Sequence, residues 1–367
     1  MTLGLLWALL PGLAVHTAAA EAPDISAASA VLLDGESGRI LYAKGQNDKR
    51  AIASITKLMT ALVAAEYIDD LSQKITIRKD WTGIEGTSLY LEPGEKITLE
   101  ALLYGLLLHS GNDAAVALAA HCAGDVETFV GWMNQRARDL NMTGTHFSDP
   151  NGLGDENHYS TALDMAKLGA ACLKNETVAK IVATKSITLG TRTFTNHNKL
   201  LWRYEGCTGM KTGYTRQAGR TLVSSAEREG QTLICVTLND RDDWRDHQAL
   251  LDFGFSAFPR RVLAERGQSL GRVAVTGSLL THVSAQARET VAYPLKEEEE
   301  ITVRIDLPRQ AEAPVRQGEI AGQATFFLGE RQVGRTYLVW GLTASRDVLS
   351  PDSPHSPFGF LKKLAGG

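Results

Sequence analysis

The sequence predicts an α+β domain, with an antiparallel sheet and a helical subdomain, followed by a small all-β domain. Strand-like segments come first, helical segments follow, and strands and a last helix return, which is typical of a sheet built from both chain ends. After Pro259 the pattern changes to short β-like runs separated by glycine turns. The 367 residues, 44% of them apolar, are enough for two units with buried cores.

The N-terminal segment has the pattern of a secretory signal. Residues 3–15 form an apolar run that is too short to span a bilayer, and three alanines and Glu21 follow it. The run lacks a preceding lysine or arginine, which departs from the usual pattern. A buried helix is the alternative, but Pro11-Gly12 would break it. We therefore expect residues 1–20 to be a signal peptide and the mature protein to be exported.

The first half of the chain contains a hairpin and a series of helices. The two strands of the hairpin flank Gly35–Gly38 and lead into a helix that starts near Ser54. Cap residues and apolar periodicity then predict, in order, a helix over 99–108 capped by Thr98, helices over 113–123 and 125–140, an irregular loop over 146–158, and a helix to about 173 capped by Ser160.

The second half is mainly β. The pattern predicts strands over 187–189, 193–195 and 210–213, a hairpin of 219–226 with 232–238, and a helix over 244–253 that closes a first domain of residues 21–258. The β-domain, residues 259–350, should contain strands at 272–275, 289–293, 301–307, 323–327 and 335–340. The tail, 351–367, has an amphipathic pattern that fits either a membrane contact or a frayed terminus.

One serine and one lysine lie three residues apart at the start of an apolar helix. Ser54 and Lys57 form the single SxxK of the chain. Residues at this spacing share a helix face, so the lysine amine can reach the serine hydroxyl. Burial disfavours a charged lysine, so Lys57 can serve as a base. Alone, the motif fits a helix-capping serine beside a solvated lysine better than a catalytic pair.

Two further motifs occur once each. Ser110-Gly111-Asn112 lies in the break between two predicted helices, and Lys211-Thr212-Gly213 lies on a predicted strand. Taken separately, Ser110 and Asn112 fit helix caps, and Lys211 fits an exposed strand lysine. All three motifs in this order and in these contexts indicate an acyl-transfer site.

With these motifs, the chain resembles the penicillin-recognising serine D,D-peptidases, specifically the low-molecular-mass D-alanyl-D-alanine carboxypeptidases. The resemblance runs from about Ala28 to the tail and includes the stretches 86–95, 149–153, 158–162, 218–226 and 250–255. It implies a β-lactamase/transpeptidase-like catalytic domain, a β-domain that holds it off the membrane, and an amphipathic C-terminal anchor.

The chemistry follows from the motifs and from the resemblance. Ser54 attacks the substrate carbonyl after giving its proton to Lys57. Ser110 relays a proton to the leaving D-alanine, and Lys211 keeps the site positive. The resemblance implies oxyanion donors at the backbone N–H groups of Ser54 and Tyr214.

Substrate contacts are expected from the remaining motif residues. Asn112 donates to the acyl-side amide, Gly213 leaves room for the peptide to lie along the strand, and Thr212 holds the terminal carboxylate together with an arginine. Arg241 and Arg245 both fit the expected place of this arginine before Leu250-Leu251, and Arg245 is our choice.

Two positions are less constrained by the resemblance. Many relatives carry histidine where Tyr214 stands, so side-chain effects there do not transfer. His158 fits a hydrogen bond that stabilises its loop better than a role in proton transfer.

The predicted substrate is the D-Ala-D-Ala terminus of peptidoglycan stem peptides, and β-lactams are expected to inhibit covalently. The alternatives are a class A-like β-lactamase, with Asp149, Asp155 or Glu156 activating water, and a non-catalytic wall-binding protein on the same fold. The charge of −4, without a basic cluster, argues against nucleic acid. We expect no cofactor and no metal, since the sequence has no GxxxxGK[ST], HExxH or CxxC motif.

Overall fold

The structure, a computed structural model, describes residues 21–346. The predicted signal peptide and the tail from 351 to 367 lie outside this range. The helices are α1 Lys57–Tyr67, α2 Leu99–Tyr104, α3 Asn112–Ala123, α4 Val126–Asp139, α5 Ala162–Lys174, α6 Glu176–Ala183, α7 Leu200–Arg203 and α8 Asp243–Ala257. Among residues 21–346, no helix combines the length and apolar character needed to cross a membrane.

The strands divide into a catalytic sheet, a C-terminal unit and two short hairpins. They are β1 Ser29–Asp34, β2 Ile40–Lys44, β3 Lys74–Thr76, β4 Lys96–Thr98, β5 Ser186–Leu189, β6 Arg192–Thr195, β7 Cys207–Thr215, β8 Gly219–Arg228, β9 Gln231–Asp240, β10 Arg260–Ala264, β11 Ser269–Thr276, β12 His282–Ala287, β13 Val291–Pro294, β14 Ile301–Asp306, β15 Gln310–Glu312, β16 Ile320–Leu328 and β17 Arg331–Trp340.

The first domain is built on an antiparallel sheet from both ends of its sequence. The strand order is β2-β1-β9-β8-β7, so the N-terminal hairpin joins three strands that lie almost 200 residues later. This confirms the predicted α+β architecture. Strand β7 carries Lys211-Thr212-Gly213 and lies at the sheet edge, beside the turn that holds Ser54.

The sheet is covered on both faces. Alternate residues of β1 enter two different cores: Val31 packs with α1 and the other helices of the subdomain, whereas Leu32 packs with Leu250 of α8. Each fully buried side chain of this size contributes about 1.5–3 kcal/mol relative to exposure. Two covered faces explain why every residue of β1 is buried and why its sequence is a nearly continuous apolar run.

Several helix ends differ from the sequence prediction. Thr98 caps α2 as predicted, accepting a bond from the Ala101 backbone nitrogen (3.2 Å), but after Tyr104 the helix widens into a π-helical turn. The cap of α5 is Thr161 rather than Ser160. The Ser160 hydroxyl instead bonds the Thr145 hydroxyl at 2.7 Å, and its backbone pairs with that of Arg50.

Short elements were missed. The β3–β4 pair, α6, α7, β10, β12 and β15 were not predicted. Most of these elements are too short to establish a periodic apolar pattern.

The C-terminal unit is all-β, as predicted. Six strands form one sheet in the order β14-β16-β17-β12-β11-β15, and β10 pairs with β13. Arg39, from the β1–β2 turn, connects this unit to the first domain. Its guanidinium donates to Pro294 O (2.7 Å) and to the Glu299 carboxylate (2.5 and 2.9 Å), and lies over the rings of Phe258 and Tyr293.

Candidate active site

The candidate nucleophile lies in a strained turn. Ser54 belongs to a 3₁₀ turn, Ala53–Thr56, that runs directly into α1. Ala53 has φ of +50°, in the left-handed region that non-glycine residues rarely adopt. Such conformations cost about 1–3 kcal/mol and persist where surrounding contacts hold them, often at functional sites. The strain therefore supports a functional role for the turn.

Lys57 is buried beneath Ser54. Its Nζ lies 3.0 Å from Ser54 Oγ, 2.7 Å from Asn112 Oδ1 and 2.6 Å from Asn151 O. Burial, and then the charge of Lys211, hold the pKa of Lys57 well below its usual value. A neutral amine has two N–H donors and one lone pair. The two amide oxygens match the donors, so the lone pair can face the Ser54 hydroxyl.

The second motif contributes a serine that lines the cleft and a buried asparagine that does not. Ser110 follows the π-helical turn with φ of +70°, and its hydroxyl has no hydrogen-bond partner within residues 21–346. Asn112 is buried, and its Nδ2 donates to Glu85 O at 2.5 Å, which directs Oδ1 toward Lys57. The contact with Lys57 is a role that sequence reasoning missed, because the two residues are far apart in the chain.

Lys211 is the second buried lysine of the site. Its side chain points inward from β7, and Nζ donates to Thr212 O at 2.8 Å. Burial lowers the pKa of Lys211 to about 7. The charge of Lys211 lowers the pKa of Lys57 in addition to the effect of burial, so a charged Lys211 favours the neutral amine of Lys57.

Gly213 allows β7 to approach the nucleophile turn. A Cβ at this position would lie 2.5 Å from Thr221 Oγ1 and 3.0 Å from the Ser54 backbone nitrogen. Both distances are shorter than van der Waals contact. The glycine is therefore required by the packing of strand against turn, a reason that differs from the space for substrate that the sequence suggested.

These residues meet at a cleft of about 660 Å³. Its lining residues are Ser54, Thr87, Ser110, His197, Lys199, Thr212, Gly213, Tyr214, Arg220, Asp243 and Trp244. The structure thus brings the three motifs together: Ser54, Ser110, Thr212 and Gly213 line the cleft, and Lys57, Asn112 and Lys211 are buried outside its lining. A cavity of about 710 Å³ between the β1–β2 hairpin and α5 contains none of the motif residues.

The arginine in the cleft is Arg220. It lies on β8 directly opposite Tyr214, and its guanidinium bonds the buried Asp243 carboxylate at 2.6 Å. Arg245 is absent from the cleft lining: its side chain is 63% exposed and faces Asp246 and the Asp24 carbonyl. Arg241 is also absent from that lining. A substrate-carboxylate role for Arg245 does not fit this placement.

Two carboxylates of the loop over residues 146–160 bond backbone groups of the same loop. Asp149 Oδ1 accepts bonds from the backbone nitrogens of Asn151 (2.8 Å) and Gly152 (2.5 Å), and Asp155 bonds Asn157. Asp149, Asp155 and Glu156 do not line the cleft. Within residues 21–346, no cluster of three or more His, Cys, Asp or Glu side chains could hold a metal ion.

Comparisons with known proteins agree with this geometry. A family model described as D-alanyl-D-alanine carboxypeptidase matches residues 16–242, and one for the C-terminal domain of penicillin-binding protein 5 matches residues 258–348. D-alanyl-D-alanine carboxypeptidase DacF of Bacillus subtilis is 33% identical over 311 residues, covering 81% of this chain and 80% of that protein. DacC of Escherichia coli is 32% identical over 338 residues, covering 87% and 84%.

A solved structure extends the likeness to the fold. Penicillin binding protein 5 from Haemophilus influenzae superimposes with a TM-score of 0.72 at 29% identity, over 89% of this chain and 99% of that one. The family match covers more than half of the chain and includes all three motifs. The chain therefore belongs to the D-alanyl-D-alanine carboxypeptidase family of serine peptidases.

Proposed function

We propose that this enzyme removes the terminal D-alanine of peptidoglycan stem peptides through an acyl-enzyme on Ser54. The observation that carries the proposal is the 3.0 Å contact between Ser54 Oγ and the amine of Lys57, which burial and the charge of Lys211 keep readily deprotonated. An adjacent base of this kind is what a serine hydroxyl needs to become a nucleophile.

The reaction has two steps. Lys57 takes the Ser54 proton as Oγ attacks the carbonyl of the penultimate D-alanine, and the backbone N–H groups of Ser54 and Tyr214 stabilise the oxyanion. The C–N bond then breaks, and Ser110 gives its proton to the leaving amine while it takes up the proton that Lys57 received, so that Lys57 is neutral again and Lys211 stays positive beside it. Water hydrolyses the Ser54 ester, releasing the shortened peptide. β-Lactams acylate Ser54 in the same way and are hydrolysed slowly.

The terminal carboxylate of the substrate is assigned to Thr212 and Arg220. Arg220 replaces Arg245 in this role because it lines the cleft, and Asp243 holds its guanidinium in place. A guanidinium can bond a carboxylate with two N–H groups, which suits recognition of a free C-terminus. The main role of Asn112 is to accept the hydrogen bond of Lys57. One N–H of its side-chain amide bonds Glu85 O, and the other can donate to the substrate.

We expect Arg220→Leu to raise KM for a stem pentapeptide. Loss of a charge-assisted hydrogen bond costs about 1.5–3 kcal/mol, so kcat/KM should fall about 10- to 100-fold. Arg245→Leu is the matched control and should leave kcat/KM within about 3-fold, because that side chain is largely solvated. Steady-state D-alanine release measures both, and equal effects of the two variants would contradict the assignment of Arg220.

The proposed function is tested by intact-protein mass after penicillin, together with D-alanine release from a stem pentapeptide. A lasting adduct on Ser54 and release of D-alanine support the carboxypeptidase. Fast loss of penicillin without a lasting adduct would instead indicate a β-lactamase. The placement of Asp149, Asp155 and Glu156 outside the cleft disfavours that alternative, because a class A enzyme needs a carboxylate to activate the deacylating water.

The location of the enzyme follows from its substrate. Peptidoglycan lies outside the cytoplasmic membrane, so we propose export through residues 1–20, a catalytic domain of residues 21–258 and a β-domain of residues 259–350. The amphipathic tail of residues 351–367 is proposed as a peripheral membrane contact.

A further inference from the structure

A buried hydrogen-bond chain lies beneath the nucleophile turn, apart from the cleft. The Thr56 hydroxyl donates to Ala53 O at 2.8 Å. Thr56 Oγ1 also lies 2.8 Å from His158 Nε2. The backbone nitrogen of Ser148 lies 3.1 Å from His158 Nδ1. His158 is 4% exposed and its ring packs edge-on against Phe147, so the surrounding residues fix its orientation.

One assignment of protons satisfies the three hydrogen bonds above. The Ser148 hydroxyl and the Asp149 carboxylate also lie near His158 Nδ1, at 3.3 and 3.6 Å. The Thr56 hydroxyl has a single proton, which it gives to the Ala53 carbonyl. His158 must therefore donate to Thr56 through Nε2–H. The Ser148 N–H points at Nδ1, so this second ring nitrogen must be an acceptor. His158 is thus a neutral imidazole with both nitrogens engaged.

The loop that carries His158 also touches the nucleophile turn directly. Asn151 O accepts from Lys57 Nζ at 2.6 Å, and Pro150 O accepts from Thr60 Oγ1 at 2.5 Å. Gly152 has φ of +89°, and a Cβ there would lie 2.1 Å from Ala53 O. One loop therefore contacts both the carbonyl that precedes Ser54 and the amine that faces it.

We propose that His158 is a positioning residue for acylation. Its hydrogen bond to Thr56 helps to hold the Ala53 carbonyl, and so the left-handed backbone of Ala53, in place. This backbone conformation keeps Ser54 Oγ within reach of Lys57. The proposal rests on the proposed function of Ser54 as nucleophile. His158 does not line the cleft, so it does not exchange protons with the substrate. Its effect passes through the geometry of the turn.

Four variants test the two hydrogen-bonding side chains, His158 and Thr56, separately. His158→Gln can place an amide N–H near the position of Nε2 and keep the donor to Thr56, whereas His158→Asn reaches only the position of Nδ1. Thr56→Val keeps the shape of Thr56 without its hydroxyl, and Thr56→Ser keeps the hydroxyl. Each variant is a single substitution in the full chain.

The measurement is the second-order rate of Ser54 acylation by benzylpenicillin, with the thermal unfolding midpoint recorded for each variant. We expect His158→Asn and Thr56→Val to lose about 10- to 100-fold in acylation rate, the scale of a misplacement of about 1 Å at a reacting group. His158→Gln and Thr56→Ser should stay within about 3-fold of the wild type, a rescue that a loss of stability alone would not produce.

Other results would overturn the positioning role. Acylation by Thr56→Val at the wild-type rate would do so, as would equal losses in Thr56→Val and Thr56→Ser. If His158→Asn does not fold, the comparison of Thr56→Val with Thr56→Ser is sufficient to test the positioning role. Absence of a penicillin adduct on the wild-type enzyme would instead contradict the proposed function itself, so the two failures are distinguishable.

Discussion

Ser54→Ala should abolish acylation and D-alanine release together. The variant removes the atom that forms the acyl bond. Ser110, the other serine of the cleft lining, has no hydrogen bond to Lys57, whereas Ser54 has one. Loss of a nucleophile that acts as a unit with its base costs about 10⁴-fold or more in rate. Intact-protein mass after penicillin and D-alanine release from a pentapeptide measure the two activities.

The fold should survive this change. Only one hydroxyl is removed, and Lys57 keeps its bonds to Asn112 and Asn151. We expect the unfolding free energy to change by less than about 1 kcal/mol. Ser256→Ala, at an exposed serine on α8, is the matched control and should retain full labelling. Stoichiometric penicillin labelling of the Ser54→Ala protein would refute Ser54 as the nucleophile.

The sequence predicted the parts of the site that depend on local geometry. Ser54 and Lys57 are one helical turn apart, so the spacing alone places the amine beside the hydroxyl. Lys211, Thr212 and Gly213 were predicted on a strand, and they lie on β7 beside Ser54. Their proximity follows from the fold of the family, which the three motifs together identified.

Contacts made between distant segments were not predictable. The Asn112 bond to Lys57 joins residues 55 positions apart, and its direction depends on the carbonyl of Glu85. The Asn151 acceptor is a backbone oxygen in a loop without apolar periodicity, so its side chain gives no signal.

Arg220 shows how strand register decides a functional residue. Distance along the sequence from Leu250-Leu251 favoured Arg245. The sequence predicted the hairpin of β8 with β9 but not the pairing of β7 with β8, which places Arg220 opposite Tyr214. The start of α8 then places Asp243 against the guanidinium, which no local pattern indicates.

Lys57→Met should reduce acylation about 10³-fold, within the usual range for a general base. Methionine has a similar length and tolerates a buried site, so the turn should keep its packing. The change leaves the buried oxygens of Asn112 and Asn151 without their donor, so we expect a lower unfolding midpoint in a protein that still folds. Acylation of Lys57→Met at the wild-type rate at neutral pH would remove Lys57 as the base.

The same assignment predicts a bell-shaped pH profile for wild-type acylation. Protonation of Lys57 removes its lone pair, so the rate should fall as the pH drops through the lowered pKa of this residue. Lys211 has a pKa of about 7 and loses its charge as the pH rises through that value. The active form has Lys57 neutral and Lys211 charged, so its population falls on both the acid and the alkaline side of a maximum.

Lys211→Arg separates the two limbs of the profile. Arginine stays charged throughout the accessible range, so the fall on the alkaline side should disappear while the acid limb remains. The measurement is the second-order rate of penicillin acylation across pH in both proteins. A wild-type rate that is independent of pH on the acid side would contradict neutral Lys57 as the group that activates Ser54. Loss of the acid limb in Lys211→Arg would assign that limb to Lys211 instead.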